Sequence, residues 1–325
     1  MRVKRPRQMG NKGMKNTLEE QRPDLKKIRP KACLLCQSND DLVQGHVMPS
    51  FVVDYIKETS VTGVFRFGGN PNLTRQDYFK AYMFCKRCEN IMSIEENYFK
   101  KNIYYPAAKN NRREFHYNHQ LSRFCMIQSF RVLVFFDLAY NELAKLKPSH
   151  HKTALKAIEE FRELIFKGYK NKSEYSNHIF FFDLADPYRS DIQELPKRVN
   201  HYFLRALDMG IVRGTNQMYV YSKMGFIALF TLLVPRMHRG MIGTRIYANN
   251  GKLKTPQQIR FPRLGQFLMS RAGIGDDIDE LMSDRQMAKM EERFRKNIDK
   301  MADSETARAV FADYNIADIK KSLRE

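Results

Sequence analysis

The sequence lacks what would carry it across or into a membrane. No stretch of its 325 residues approaches the roughly 20 apolar residues that span a bilayer. The longest apolar run, Gly225 to Val234 (GFIALFTLLV), reads as a buried strand or core helix. The N-terminus is basic but has no apolar h-region, which argues against a secretory signal. Cysteine is scarce, at five residues. The expected setting is intracellular and cytoplasmic, where thiols stay reduced unless they hold a metal. Walker loops, dinucleotide fingerprints and Gly-x-Ser-x-Gly elbows are all missing, so those chemistries have no motif to stand on. Acidic residues are also in deficit, 36 against 56 Lys and Arg, for a formal charge of +20. A surplus of that size sits on the surface and attracts polyanions. Nucleic acid is the expected partner, DNA first and RNA second, rather than a membrane; a homo-oligomer or a subunit of a larger complex is compatible with it.

What is present divides along the chain. Residues 1–31 carry 11 Lys/Arg and 3 Asp/Glu with few large apolar side chains, the composition of a flexible basic arm. Residues 276–325 carry 13 acidic and 10 basic residues, so the positive charge belongs mainly to the span between them. Residues 32–110 are punctuated by cysteine and glycine and read as a small metal-held module. Residues 111–175 are helical. There the apolar positions Phe124, Cys125, Val132, Phe135, Phe136 and Ala139 follow helical spacing from Leu121 to a stop near Lys147-Pro148. A second helix is expected from Thr153 to Lys167. Residues 176–258 read as β-rich, with strands at His178 to Leu184, Val199 to Leu207, Met218 to Val234 and Thr244 to Tyr247, and a hairpin turn at Asn249-Asn250-Gly251. Residues 259–325 return to helix. The expected fold class is α+β: a zinc-bound module, then a mixed domain of helices and an antiparallel sheet.

The strongest local signal is Cys33-Leu34-Leu35-Cys36 paired with Cys85-Lys86-Arg87-Cys88. Two residues between cysteines let both thiolates of a tight knuckle reach one ion, and two knuckles complete a tetrahedral Zn²⁺ site. Two unrelated cysteine pairs or redox dithiols are the alternatives. Cys125 falls on the apolar face of its helix and reads as core.

The surroundings of the knuckles carry a further pattern. Gln44-Gly45-His46-Val47-Met48-Pro49 follows the first pair; Gly68, Gly69, Asn72 and Leu73 follow that; the second pair opens a helix. In this order the region resembles the HNH endonucleases, also called ββα-metal or His-Me finger nucleases, over residues 32–100. It also resembles a bacterial HNH-like branch in which a Cys-x-x-Cys-Glu…Ser…Glu…Phe spelling follows the second knuckle, matched by Cys85, Cys88, Glu89, Ser93, Glu96 and Phe99. The resemblance implies a treble-clef-like ββα module with structural zinc. It further implies His46 as the general base that takes a proton from the attacking water, and Asn72 as the loop-holding Asn. A single divalent ion, Mg²⁺ or Mn²⁺, would stabilise the charge that builds on the phosphate. Imidazole suits the base because it titrates near neutrality, and a cation suits a doubly charged phosphate centre.

Two positions depart from the family spelling. Gly45 stands where an acidic metal ligand is common, and Ser93 where a last His is common. Glu89 and Glu96 share one helix face with Ser93 and are the candidate carboxylate ligands, with a solvated face as the plain alternative. Lys86, Arg87, Arg66 and Arg75 are candidate phosphate contacts. His116 and His119 read as surface histidines, and Asp183, Asp186 and Asp191 as turn and strand-end residues. The expected activity is metal-dependent hydrolysis of DNA phosphodiester bonds; the alternative is a non-catalytic zinc module that binds nucleic acid.

Overall fold

A computed structural model describes residues 24–25, 27–67, 70–110, 113–167, 173–188 and 191–323. Most of the expected basic arm, the Gly68-Gly69 pair and Arg112 lie outside the described residues. The chain is a mixed α+β protein, as expected. It opens with strand β1 (Leu42–His46), helix α1 (Ser50–Glu58), the hairpin β2 (Phe65–Phe67) and β3 (Asn70–Arg75), strand β4 (Lys80–Cys85), and helices α2 (Lys86–Phe99) and α3 (Tyr105–Lys109). Strands β1 and β4 pair antiparallel, from Leu42 opposite Cys85 at one end to His46 opposite Lys80 at the other. Strand β5 (Glu114–Asn118) then leads into the long helices α4 (His119–Tyr140) and α5 (Pro148–Lys167).

The second half is built on a five-stranded antiparallel sheet. Its strands are β6 (Ser176–Phe181), β7 (Leu207–Gly214), β8 (Gln217–Met224), β9 (Ile227–Val234) and β11 (Arg245–Ile246), in the order β11-β6-β9-β8-β7. Helix α6 (Val199–Arg205) precedes β7, and the short strands β10 (Met241–Ile242), β12 (Asn250–Lys254) and β13 (Gln258–Ile259) follow or flank β11. Helices α7 (Pro262–Ala272), α8 (Ile278–Leu281), α9 (Asp284–Lys296) and α10 (Glu305–Ser322) close the chain.

Alternation along the strands explains how the sheet is buried on both faces. Met218, Val220, Met224, Ile227, Leu229 and Leu233 join a core with α4, α5 and the cysteine-bearing region. Their sequence neighbours Tyr219, Tyr221, Ala228, Phe230 and Leu232 join a second core with α6, α7 and α10. Polar residues on the α4 side are matched rather than exposed. Gln128 donates to Ser222 Oγ at 3.3 Å, and the Ser129 and Thr231 hydroxyls lie 2.6 Å apart. The first core runs without interruption from Cys33 through α4 to Leu253, which seats the N-terminal region directly on the sheet.

Several local expectations are corrected. Val199 to Leu207 is not a strand: Val199–Arg205 is helical, and Asp313 of α10 accepts hydrogen bonds from the backbone N–H groups of Asn200 and His201 at 2.7 and 3.0 Å. A helix whose first N–H groups are satisfied from more than a hundred residues away has no local capping signal to read. Met218 to Val234 is two strands, not one. The turn falls at Gly225, whose φ of +66° is available to glycine at little cost. The run looked continuous because both faces are buried. Asn249-Asn250-Gly251 is not a hairpin turn; Asn250–Lys254 pairs instead with β5, Gly251 opposite Tyr117, whose ring occupies the space a Cβ would need. Helix α4 ends at Asn141, in the left-handed conformation with φ +52°, well before Pro148, and α5 begins at that proline, not at Thr153.

Candidate functional site

Four thiols meet at one end of the β1–β4 ladder. Cys33 and Cys36 lie in a tight turn where Gln37 takes a φ of 60° and its N–H donates to Cys33 O at 2.8 Å. Leu34 N donates to Met83 O at 2.9 Å, which fixes this turn to β4. Cys85 ends β4 and Cys88 sits in the first turn of α2. The four sulfurs lie within 4.8 Å of one another, with Cys36 and Cys85 3.7 Å apart, and none is in a disulfide. Four converging soft donors can hold a metal ion such as zinc, as the spacing leads one to expect. Cys125 lies elsewhere, fully buried in the core of α4.

His46 stands at the other end of the same ladder, four residues along β1, roughly 13 Å at the usual strand rise. Its ring is a quarter exposed, and Nε2 lies 2.9 Å from Asp77 Oδ1. The other oxygen of Asp77 is 2.5 Å from Lys80 Nζ, and Lys80 is the residue opposite His46 in the ladder. Burial opposes ionisation of Asp77, but the Lys80 ammonium and the His46 hydrogen bond outweigh it and hold the carboxyl below the ordinary aspartate value. A carboxylate on Nε2 sets the proton of a neutral ring there and leaves Nδ1 as the basic nitrogen, a tautomer inferred from the partner.

Behind this pair, α2 presents Glu89 and Glu96 to one guanidinium. Arg131, on α4 and 2% exposed, donates through Nη2 to Glu89 at 2.8 Å and through Nη1 to Glu96. Burial opposes the charge on Arg131, and the two carboxylates more than offset it. Burial also pushes the Glu89 carboxyl up, with Arg131 working against it. About two turns along α4, Arg123 Nε lies 2.8 Å from Glu95 Oε1, a second buried ion pair between the same helices. Glu89 also reaches β1, its carboxylate packing against Gly45 beside His46.

The remaining candidates scatter. Asn72 does not join His46: it donates from Nδ2 to Leu281 O at 2.9 Å and accepts from Ser283 N at 2.8 Å, tying β3 to the C-terminal segment. Arg66 lies on β2 and donates to Pro71 O at 2.8 Å; Arg75 ends β3 and is exposed. Lys86 and Arg87 are exposed in the first turn of α2. Ser93 is exposed and bonded to Asn90 O. His116 is an exposed strand residue beside Glu114, and Asp186 accepts from Tyr188 N in a turn.

Among the described residues the thiols are the one group of three or more ligating side chains that converge on a point. Glu89 and Glu96 hold Arg131 rather than converging with His46 on a second metal position. No family model, curated protein or solved structure matches the chain. Sequence reasoning missed Asp77, Lys80 and Arg131. For Arg131 a signal exists: arginines at 123 and 131 stand among the apolar positions of a long helix, and a buried cation requires a partner.

Proposed function

We propose that this chain hydrolyses phosphodiester bonds of nucleic acid, DNA in the first instance, at an HNH-like site where His46 is the general base. The observation that carries this reading is the 2.9 Å contact between His46 Nε2 and Asp77 Oδ1 on a partly exposed ring beside α2. Asp77 is the positioning residue. It orients the ring and stabilises the imidazolium that forms when Nδ1 takes a proton from water. Lys80, across the ladder, brings positive charge to the same end of the strands.

Three further observations support the reading. The order first cysteine pair, β1, β4, second pair, α2 follows the resemblance drawn from the sequence, and zinc in the thiol cluster would organise that ββα unit without touching substrate. The carboxylate of Glu89 occupies the place beside Gly45 where the family commonly carries its acid. The net charge suits a polyanionic substrate. The implied Mg²⁺ or Mn²⁺ does not fit the carboxylates as they stand, because Arg131 takes both.

That same Arg131 clamp favours one second reading, a zinc module that binds nucleic acid without cutting it. Plasmid, single-stranded DNA and RNA incubated with Mg²⁺, Mn²⁺ or chelator separate the two. The hydrolase reading expects nicking by the wild type, a loss of about 100-fold or more in His46→Ala with binding retained, and an intermediate rate for Asp77→Asn. Salt-dependent binding by all three proteins, with no cleavage under any condition, establishes the binding module instead.

A further inference from the structure

A divalent ion at a nuclease site positions the attacking water and offsets the charge that builds on the phosphate. Here the side chains that would carry it are taken, since Glu89 and Glu96 both accept from the buried Arg131. Among the described residues the four thiols, at the far end of the β1–β4 ladder, are the one converging set of ligating side chains. With water as the nucleophile, the site must find its ion outside these side chains. Cleavage of RNA asks for less. Its nucleophile, the 2′-hydroxyl, is carried on the same ribose as the phosphate it attacks, so it needs neither capture nor alignment by a metal.

What remains for the protein to supply is a base and a cation, and three contacting side chains offer both. Asp77 meets His46 Nε2 through Oδ1 at 2.9 Å and Lys80 Nζ through Oδ2 at 2.5 Å. Lys80 and His46 are direct partners across the ladder, so their side chains leave the same face of the two strands. All three reach solvent, with side-chain exposures of 24% for His46, 39% for Asp77 and 36% for Lys80, which a polymer substrate requires. Among the described residues the Lys80 ammonium is bonded to Asp77 alone. An ammonium carries three N–H donors, so this pairing leaves donors for a phosphate oxygen.

We propose that this site cleaves RNA without a divalent ion, with Lys80 as the cation that meets the scissile phosphate. His46 Nδ1 takes the proton of the 2′-hydroxyl as the 2′-oxygen bonds to phosphorus. Lys80 donates to a non-bridging oxygen and offsets the negative charge gathering there. The bond from phosphorus to the 5′-oxygen breaks, and that oxygen leaves with the electron pair and takes a proton from water. The hydroxide so formed receives the proton held by His46. The products are a 2′,3′-cyclic phosphate and a 5′-hydroxyl end, with both residues returned to their starting states. Asp77 is the positioning residue for its two neighbours. The inference rests on the reading of His46 as general base, and adds to it a substrate class and a second catalytic residue.

The test uses full-length wild type, Lys80→Ala, Lys80→Arg and His46→Ala, purified alike so that a contaminating ribonuclease would show in all four. The substrates are a labelled single-stranded RNA and the same strand made throughout with 2′-deoxyribose. Buffer is stripped of Mg²⁺ and Mn²⁺ before the protein is added, which leaves any zinc on the thiols in place. Wild type should cut the RNA at a rate that added Mg²⁺ does not raise, and mass spectrometry should find 2′,3′-cyclic phosphate ends. The deoxy strand should stay intact. Lys80→Ala should lower the single-turnover rate about 100-fold, Lys80→Arg should restore part of it, and His46→Ala should abolish it. Lys80 is a partly exposed side chain, so melting temperatures should match the wild type. RNA left intact in stripped buffer overturns the proposal, and so does equal cutting of the deoxy strand or a Lys80→Ala protein as fast as wild type. If DNA is nicked in Mg²⁺ through His46 while RNA survives without it, this inference falls and the general-base reading stands. No cleavage of either polymer under any condition removes both.

Discussion

The carboxylate of Glu89 fills the space beside the Cα of Gly45 that any larger side chain would need. Helix α2 and strand β1 thus meet through a residue without a Cβ, one position before His46. The closeness matters because Glu89 is simultaneously held by Arg131 and cannot swing away without breaking that pair. Gly45→Ala should therefore destabilise the protein by about 1–3 kcal/mol, the usual cost of overpacking. Gly45→Asp should cost more by adding a like charge. Urea unfolding checks this: an unchanged midpoint for Gly45→Ala would show that the carboxylate is free to leave.

Arg131→Met leaves two largely buried carboxylates without their cation. Removing one partner of a buried ionic network costs about 3–5 kcal/mol, because the remaining charges are desolvated and unpaired. Adding Glu89→Gln and Glu96→Gln to Arg131→Met should restore much of the loss, since the uncompensated charge is then gone. Chemical denaturation of the single and triple variants measures both effects, and equal instability of the two would count against the charge explanation.

Metal analysis of purified protein should find about one zinc per chain, and a strong chelator should lower the melting temperature. Cys88→Ser removes one of four donors from a turn of α2 that faces the core, so it should lose the metal and the cooperative melting of the N-terminal region. Wild-type protein that melts identically with and without chelator, and holds no metal, would leave the four thiols as ordinary core residues.

Acid sensitivity should come in part from His178. Its ring is 2% exposed, with Nδ1 2.8 Å from Thr244 Oγ1 and Nε2 3.1 Å from Ser176 Oγ. Burial, with Arg245 and His238 adding to it, pushes its pKa down to about 3 from 6.5. Between those values the unfolded chain binds a proton that the folded chain does not, so stability falls as pH falls. The slope approaches about 1.4 kcal/mol per pH unit once the medium is well below 6.5. Urea midpoints followed from pH 7 to 4.5 should show this slope in the wild type and a shallower one in His178→Gln. Parallel curves would show that the histidine is not held neutral.

Much of the site's frame was legible in the primary sequence because its signals are local. Two Cys-x-x-Cys knuckles specify a four-thiol cluster by spacing alone, and the folded chain brings those sulfurs together. The long helix after His119 and the antiparallel sheet follow from periodicity in the same way. Where partners are distant, the reading stopped. Asn72 has the local setting of a loop-holding residue, but its bonds run to Leu281 and Ser283, more than two hundred residues on. Glu89 and Glu96 share a helix face, as their spacing requires. What they face is Arg131 of α4, which no spacing within α2 could reveal. Val199 to Leu207 carries an apolar pattern suited to a strand, and a carboxylate from the last helix makes most of it helical.

The amino-acid order alone determined the net charge, the two Cys-x-x-Cys knuckles, the placement of a histidine shortly after the first knuckle and the presence of both helices and strands. These depend on interactions within a few residues, or on composition, and need no knowledge of the distant chain. Tertiary structure decided the rest: that Asp77 meets His46, that one buried arginine claims both candidate carboxylates, and that Asn72 ties β3 to the C-terminal segment. Each of these joins groups from separate elements, and the free energy of burying a charge or leaving a donor unpaired is set by what packing brings beside it.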